Sequence, residues 1–138
     1  MVYGPRMVEY EWRGAFDSNE VETLHAEGFG RGPDLSWDWW RQVEHHSLGW
    51  VCARDSASRL VGWVNVAWDG GVHAFVLDTV VAPTHRHQGI ATLLVEHATH
   101  GAREAACEWL HVDFEEPLRV FYFESCGFTS TTAGLIKL

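Results

Sequence analysis

The stretch "THRHQGIATLL", residues 84–94, decides how the rest of this chain is read. Basic and polar residues run up to Gly89, and an apolar, helix-like pattern starts straight after it with Ile90, Leu93 and Leu94. Glycine costs a helix interior about 1 kcal/mol against alanine, so its place here needs a reason. The first turn of a helix carries free backbone N–H groups and the positive end of the dipole. Gly89 removes a side chain, Ala91 is nearly as small, and Arg86 adds a positive charge, so an anion can reach those N–H groups. The stretch reads as a pyrophosphate cradle at a strand-to-helix junction. It is not a Walker loop, since no G-K-[ST] follows, and it lacks the G-x-G-x-x-G fingerprint.

Upstream, "HAFVLDTVVAP" (73–83) is a strand that ends at Pro83. Before it, "GWVCARD" (49–55) and "RLVGWVNVAWD" (59–69) flank the turn "SAS" and read as a hairpin. "VEYEWRG" (8–14) alternates as a first strand. Asp17-Ser18-Asn19-Glu20 has the form of a capping box and opens a helix running to the glycines of "EGFGRGP" (27–33). A second helix is predicted from Ser36 to His46, and the loop over 28–36 is a candidate flexible lid. Downstream, residues 87–106 form the longest helical pattern. "EWLHVDF" (108–114) is a strand, "PLRVFYFESC" (117–126) a short helix with proline at its start, and "FTSTTAGLIKL" (128–138) a terminal strand. The order β-α-α-β-β-β-α-β-α-β implies one mixed α+β domain over 1–138, with a central, mostly antiparallel sheet flanked by helices.

The formal charge is −9 and Lys137 is the only lysine. Phosphate-backbone binding relies on clustered Lys and Arg, so nucleic acid is not an expected partner. An acidic surface attracts a cation such as an amine, or serves solubility alone. Cys52, Cys107 and Cys126 form no C-x-x-C pair. With no signal peptide and no run of about 18 apolar residues, they point to a reducing cytoplasm and no membrane. The pairs His45-His46, His85-x-His87 and His97 with His100 fix no third ligand, so no metal is expected.

Val81-Ala82-Pro83 followed by Arg86-x-x-Gly89-x-Ala91 resembles the [QR]-x-x-G-x-[GA] motif of the GNAT N-acetyltransferases, which follows a strand ending in V-x-P and binds the pyrophosphate of acetyl-CoA. "ESCGF" (124–128) is similar to that family's Y-x-x-x-G-F segment, and the element order agrees along nearly the whole chain. The resemblance implies a GNAT-like fold with acetyl-CoA as donor. Backbone at Val80 and Val81 would bond the pantetheine arm. Main-chain N–H groups of Arg86, His87, Gln88, Gly89, Ile90, Ala91 and Thr92 would hold the pyrophosphate. It also implies direct acetyl transfer to a small, cationic amine in a ternary complex.

A simple alkyl amine has a pKa near ~10, so less than ~1% is free base at neutral pH and a general base helps. Asp78 is the first candidate, as both base and substrate contact. Alternation places Val76, Asp78 and Val80 on one face of an apolar strand, with Leu77, Thr79 and Val81 on the other. An unpaired carboxylate is costly there, and the resemblance puts an acid near the substrate amine. The bland reading is an Asp satisfied by loop N–H groups or an arginine. Glu9, Glu11, Asp34, Asp38, Asp113 and His111 are further candidates, each weighed against a solvated or sheet-satisfied group. By the resemblance, the tyrosine that protonates the leaving thiolate lies four residues before the glycine of G-F, where this chain has Phe123. Tyr122 is one residue earlier, turned by ~100° in a regular helix. Either the helix carries an extra residue that brings Tyr122 into place, or the thiolate leaves without a tyrosine; Tyr122 as a core aromatic is the alternative. Glu115 and Glu116 stand near where relatives have an asparagine.

Of eight tryptophans, Trp37, Trp39 and Trp40 lie in the segment that by resemblance covers the acceptor. Trp37 and Trp40, with Asp78 and Asp113, are the substrate-binding candidates. Aromatic walls with acids suit a cationic or ring-bearing amine, and antibiotic detoxification fits that description. A peptide Nα-acetyltransferase is disfavoured by the bulk of "SWDWW" (36–40), and a non-catalytic acyl-CoA sensor is the reading from another class. The terminal segment is short for a full final hairpin, so a homodimer covering an edge strand is expected.

Overall fold

The computed structural model describes residues 7–138. Strand β1 (Glu9–Trp12) leads through Gly14 to Asp17, whose side chain accepts from the Asn19 N–H at 2.7 Å while Glu20 accepts from the Asp17 N–H at 2.9 Å. That closes the predicted capping box and starts α1 (Ser18–Gly28). Helix α2 (Trp39–His46) begins three residues later than predicted, because Asp38 caps it by accepting from the Arg41 N–H at 3.0 Å. Strands β2 (Ser47–Arg54) and β3 (Leu60–Trp68) form the hairpin, and β4 (His73–Val81) follows. A short 3₁₀ turn at Pro83–His85 leads to α3 (Ile90–Glu104) and then to β5 (Trp109–His111).

The sheet order is β1-β2-β3-β4-β5, antiparallel throughout except for the parallel β4–β5 pair. Helix α3 covers one face, where Leu94 and Ala98 pack on Val51, Val64, Val66 and Val76. Each such fully buried aliphatic side chain stabilises the fold by roughly 1.5–3 kcal/mol. Gly101 sits mid-helix because a Cβ there would meet the Trp12 ring at 2.5 Å. The opposite face carries α1 and α2, with Val21, Leu24, Trp39 and Val43 on Trp63 and Val80.

The strict alternation expected along β4 is corrected. Trp63 pairs with Val80 but Asn65 pairs with Leu77, so one residue of β3, Val64, faces two of β4, Asp78 and Thr79. The extra residue is a β-bulge, and Asp78 sits in it with φ +60°. Val76 therefore faces the α3 core and Val80 the α1–α2 core, instead of sharing one side.

The C-terminal third also departs from expectation. β5 keeps only three residues of "EWLHVDF". The segment over 117–126 divides into a 3₁₀ turn at Glu116–Leu118 and a π-helical turn at Phe121–Ser125. Residues 128–138 form no strand. Strand propensity is realised only against a neighbouring strand, and β5 pairs no further than His111. Leu135, Ile136 and Leu138 are left exposed.

Candidate active site

At the start of α3, His85 is buried and lies 3.9 Å from the Asp55 carboxylate, whereas Arg86 through Gly89 face solvent. His87 and Gly89 both adopt left-handed backbone, with φ of +61° and +79°. No side chain caps the helix, and the N–H groups of Gly89, Ile90, Ala91 and Thr92 find no acceptor among the described residues. An added Cβ at Gly89 would meet nothing within 4 Å. The mouth of this helix is open, and four aligned donors fill it.

From this loop the free edge of β4 leads to the bulge. Pairing of β4 with β5 stops at Phe75 opposite His111, so among the described residues no strand pairs with Val76 to Val81 on that side. Val80 and Val81 pair with Trp63 and Gly62 on the β3 side only. Thr79, next to Asp78, has a buried hydroxyl without a hydrogen-bond partner. It faces the Tyr122 phenol, whose pKa burial pushes up and the Thr79 hydroxyl partly lowers, though no bond of normal geometry joins them.

Tyr122 is buried against Phe114, 4.8 Å between ring centroids. The helix here does carry the extra residue: the Cys126 N–H bonds to the Phe121 carbonyl five positions back at 3.0 Å. Tyr122 thus stands beside Thr79, the residue after Asp78.

Asp78 is held from two sides. Its Oδ1 lies 2.9 Å from His25 Nε2, and its Oδ2 accepts from Asn65 Nδ2 at 3.2 Å. The Arg31 guanidinium, which can only donate, lies 2.9 Å from His25 Nδ1. That nitrogen is the acceptor, so Nε2 carries the proton and donates it to Asp78. Arg31 is anchored in turn on Glu22 by two bonds of 2.7 and 2.8 Å. These bonds hold the buried Glu22 carboxyl well below its ordinary range, at about 2, helped by the Asp34 N–H and the Trp39 indole. The loop expected to be a flexible lid is tied down here through Arg31 and Asp34. Each Asp78 oxygen keeps a lone pair, and the side chain is 22% exposed. It can take a proton from a group that reaches it.

Two clefts flank the partners of Asp78, which itself lines neither. The larger, ≈ 700 Å³, runs between α2 and the β3–β4 surface, with Trp37, Asn65 and Leu77 among its walls. The smaller, ≈ 250 Å³, contains His25, Arg31 and Trp39. Asp78's two partners, Asn65 and His25, line one cleft each. Trp37 borders both clefts, but Trp40 packs edge-on against Phe16 and Trp50 and borders neither. Asp113 is exposed beyond β5 and borders neither, and Glu9 and Glu11 are exposed on β1. His111 pairs with His73 at 2.7 Å. The carboxylates are unevenly divided: among the described residues Glu22 and Asp34 line the smaller cleft and Asp38 alone the larger. Among the described residues no group of three metal-ligating side chains gathers.

A family model described as "Acetyltransferase (GNAT) family" matches residues 7–128. The chain belongs to the GNAT acetyltransferase family. Its activity is acetyl transfer from acetyl-CoA, and the GNAT fold accounts for the five-stranded sheet that opens between β4 and β5. A GNAT acetyltransferase from Streptococcus pneumoniae aligns at 23% identity and TM-score 0.76, over 96% of this chain and 98% of that one. A Trypanosoma brucei acetyltransferase aligns at 18% identity and TM-score 0.79, over 96% and 100%. An aminoglycoside N-acetyltransferase in complex with CoA aligns at 14% identity and TM-score 0.76, over 100% and 98%. At these identities the likeness is one of fold. No curated protein matches the sequence. Acetyl-CoA fits this GNAT site: among the described residues four N–H groups at the start of α3 are unclaimed, a strand edge is free, and the buried Thr79 hydroxyl has no hydrogen-bond partner.

Sequence reasoning missed Glu22, His25, Arg31 and Asn65. His25 meets Asp78 across 53 positions, and no local pattern carries such a pairing. The one available signal was the glycine-rich loop with a single arginine, which needs an anchor if it is to hold one conformation.

Proposed function

We propose that this GNAT enzyme acetylates the amino group of a small primary amine held in the cleft between α2 and β3–β4, by direct attack on acetyl-CoA. The observation that carries this reading is Asp78, fixed in the β4 bulge by Asn65, which lines the larger cleft, and by His25, which lines the smaller. The amine lone pair attacks the thioester carbonyl as Asp78 takes the amine's proton, directly or through one water. The tetrahedral intermediate expels the thiolate, which takes the Tyr122 phenol proton. A phenol pKa raised by burial keeps that donor protonated at neutral pH.

A covalent acetyl-cysteine route is disfavoured. Burial pushes the Cys52 thiol up to about 12 and the Cys126 thiol up to about 11, and raises Cys107 as well; the thiolate is the nucleophile. A polycationic antibiotic is a poor occupant, because Asp38 alone would face its several ammonium groups. The protruding Trp37 narrows the cleft against a peptide.

Two further readings go with this one. The open β5 edge and exposed Leu135, Ile136 and Leu138 support a homodimer. Light scattering should then show a dimer that falls to monomer on truncation after Phe128, and a monomeric full chain overturns it. The three free thiols support a cytoplasmic location; no helix among the described residues is long and apolar enough to cross a membrane.

Release of CoA thiol from acetyl-CoA across a panel of primary amines tests the function. At least one amine should drive release, and Asp78→Asn should abolish most of it. Acetyl-CoA binding with no release from any amine makes the chain a sensor instead.

A further inference from the structure

The larger cleft has a polarity that the net charge of −9 does not foretell. Its helical wall is one face of α2, where Arg41 and Gln42 each stand four positions before His45 and His46 and so share a side of the helix. The opposite wall is Asn65, Ala67 and Leu77, neutral throughout. The cleft therefore offers three basic side chains against Asp38, and Asp38 is already engaged in capping α2 through the Arg41 N–H.

Arg41 makes no ion pair among the described residues. Arg31, Arg54, Arg59 and Arg119 each hold a carboxylate. In a chain with 19 acidic residues against 10 basic ones, an arginine left without a carboxylate inside a cleft is a guanidinium available to something else. His45 Nδ1 lies 2.7 Å from the Arg41 carbonyl and so carries a proton, which turns Nε2 away from its own helix.

We infer that the acceptor is an amine that also carries an anionic group, a carboxylate or a phosphate, bound by Arg41 with His45 and His46 while its amino group points to Asp78. This rests on the proposed N-acetyltransferase reading and narrows its substrate class. Guanidinium recognises both anions through paired N–H donors. Trp37, Ala67 and Leu77 supply apolar cover for the carbon skeleton between the two ends. The amine end is set by Asn65, which lines the cleft and also holds Asp78.

The test uses matched pairs: an α-amino acid with the amine lacking its carboxylate, and an amino sugar with its phosphate ester. The ratio of kcat/KM between anionic and neutral partner, read by CoA thiol release, should be at least about tenfold in one pair, and which pair shows it separates carboxylate from phosphate. Arg41→Gln, a surface change that should leave folding intact, should lower that ratio about tenfold, and Arg41→Lys should lower it less. Arg103→Gln, on the exposed end of α3, should leave the ratio as it is. Neutral partners preferred in both pairs, or a ratio indifferent to Arg41→Gln, overturns the inference while leaving the acetyltransferase reading standing. If no amine releases thiol, that reading fails, and calorimetry with the anionic amines decides the inference separately. Binding weakened about tenfold by Arg41→Gln supports it; no binding, or binding unaffected by the variant, overturns it.

Discussion

The two halves of this active site are made of different material. The proposed donor side is backbone: four N–H groups at the start of α3 unclaimed among the described residues, two left-handed residues at 87 and 89, and one free edge of β4. The proposed acceptor side is side chain: Glu22, Arg31, His25, Asp78 and Asn65, drawn from α1, the following loop, β3 and β4. A backbone site needs only the right local conformation, so most of its side chains are free to vary. A side-chain site needs each member, because each orients the next.

The contrast predicts opposite sensitivities, and Asp78→Asn gives the largest effect. The amide keeps the shape and tolerates φ +60°, but it cannot take a proton. The turnover rate should fall about 100-fold or more, with part of the loss recovered at high pH, where the amine deprotonates unaided. Acetyl-CoA affinity should stay within about twofold. Turnover that survives at every pH would remove Asp78 as base and leave the donor half untouched.

Next in size is Glu22→Gln, which strikes the acceptor side at the far end of its chain of contacts. The Glu22 carboxyl is depressed from the ordinary 4.5 to about 2, chiefly by its bonds to Arg31. A depressed folded-state pKa stabilises the fold fully above the unfolded value and loses that contribution as pH falls through the folded one. The wild-type protein should therefore lose stability between pH 4.5 and about 2. Glu22→Gln should cost about 2 kcal/mol at pH 7, and its deficit against wild type should shrink across that acid window. Urea denaturation at stepped pH measures it. A deficit constant down to pH 2 would mean that Glu22 acts by packing alone.

The same contrast explains what could be read from the sequence. The open start of α3 in "THRHQGIATLL" was legible because backbone conformation is written locally: Gly89, small Ala91 and the apolar run of α3 lie within a few positions. The capping box at Asp17 and the β2–β3 hairpin were legible for the same reason. The β4 bulge was not, since one extra residue leaves an apolar strand looking regular while reversing which face Val80 occupies. The extra residue at Tyr122 was legible as an alternative because Phe123 stood in the wrong place, and the π-helical turn realises it. The pairing of His25 with Asp78 crosses 53 positions and needs the finished sheet.

The smallest predicted effect sharpens the backbone half, and Gly89 is the residue to use. Two different penalties attach to a side chain there. Left-handed backbone costs most L-residues roughly 1–2 kcal/mol, and a Cβ would enter the space where an anion meets the helix N-terminus. No protein atom lies within 4 Å of that Cβ, so steric conflict inside the protein contributes nothing. Asparagine separates the two penalties, because it adopts φ near +79° with little strain yet still adds bulk. Gly89→Asn should keep the melting temperature near that of wild type while weakening acetyl-CoA binding about tenfold. Gly89→Ala should lower stability by about 1 kcal/mol and weaken binding less, since it adds less bulk. If both variants bind acetyl-CoA as tightly as wild type does, the open mouth of α3 is not where the pyrophosphate sits, and the division between a backbone half and a side-chain half fails at its better-supported end.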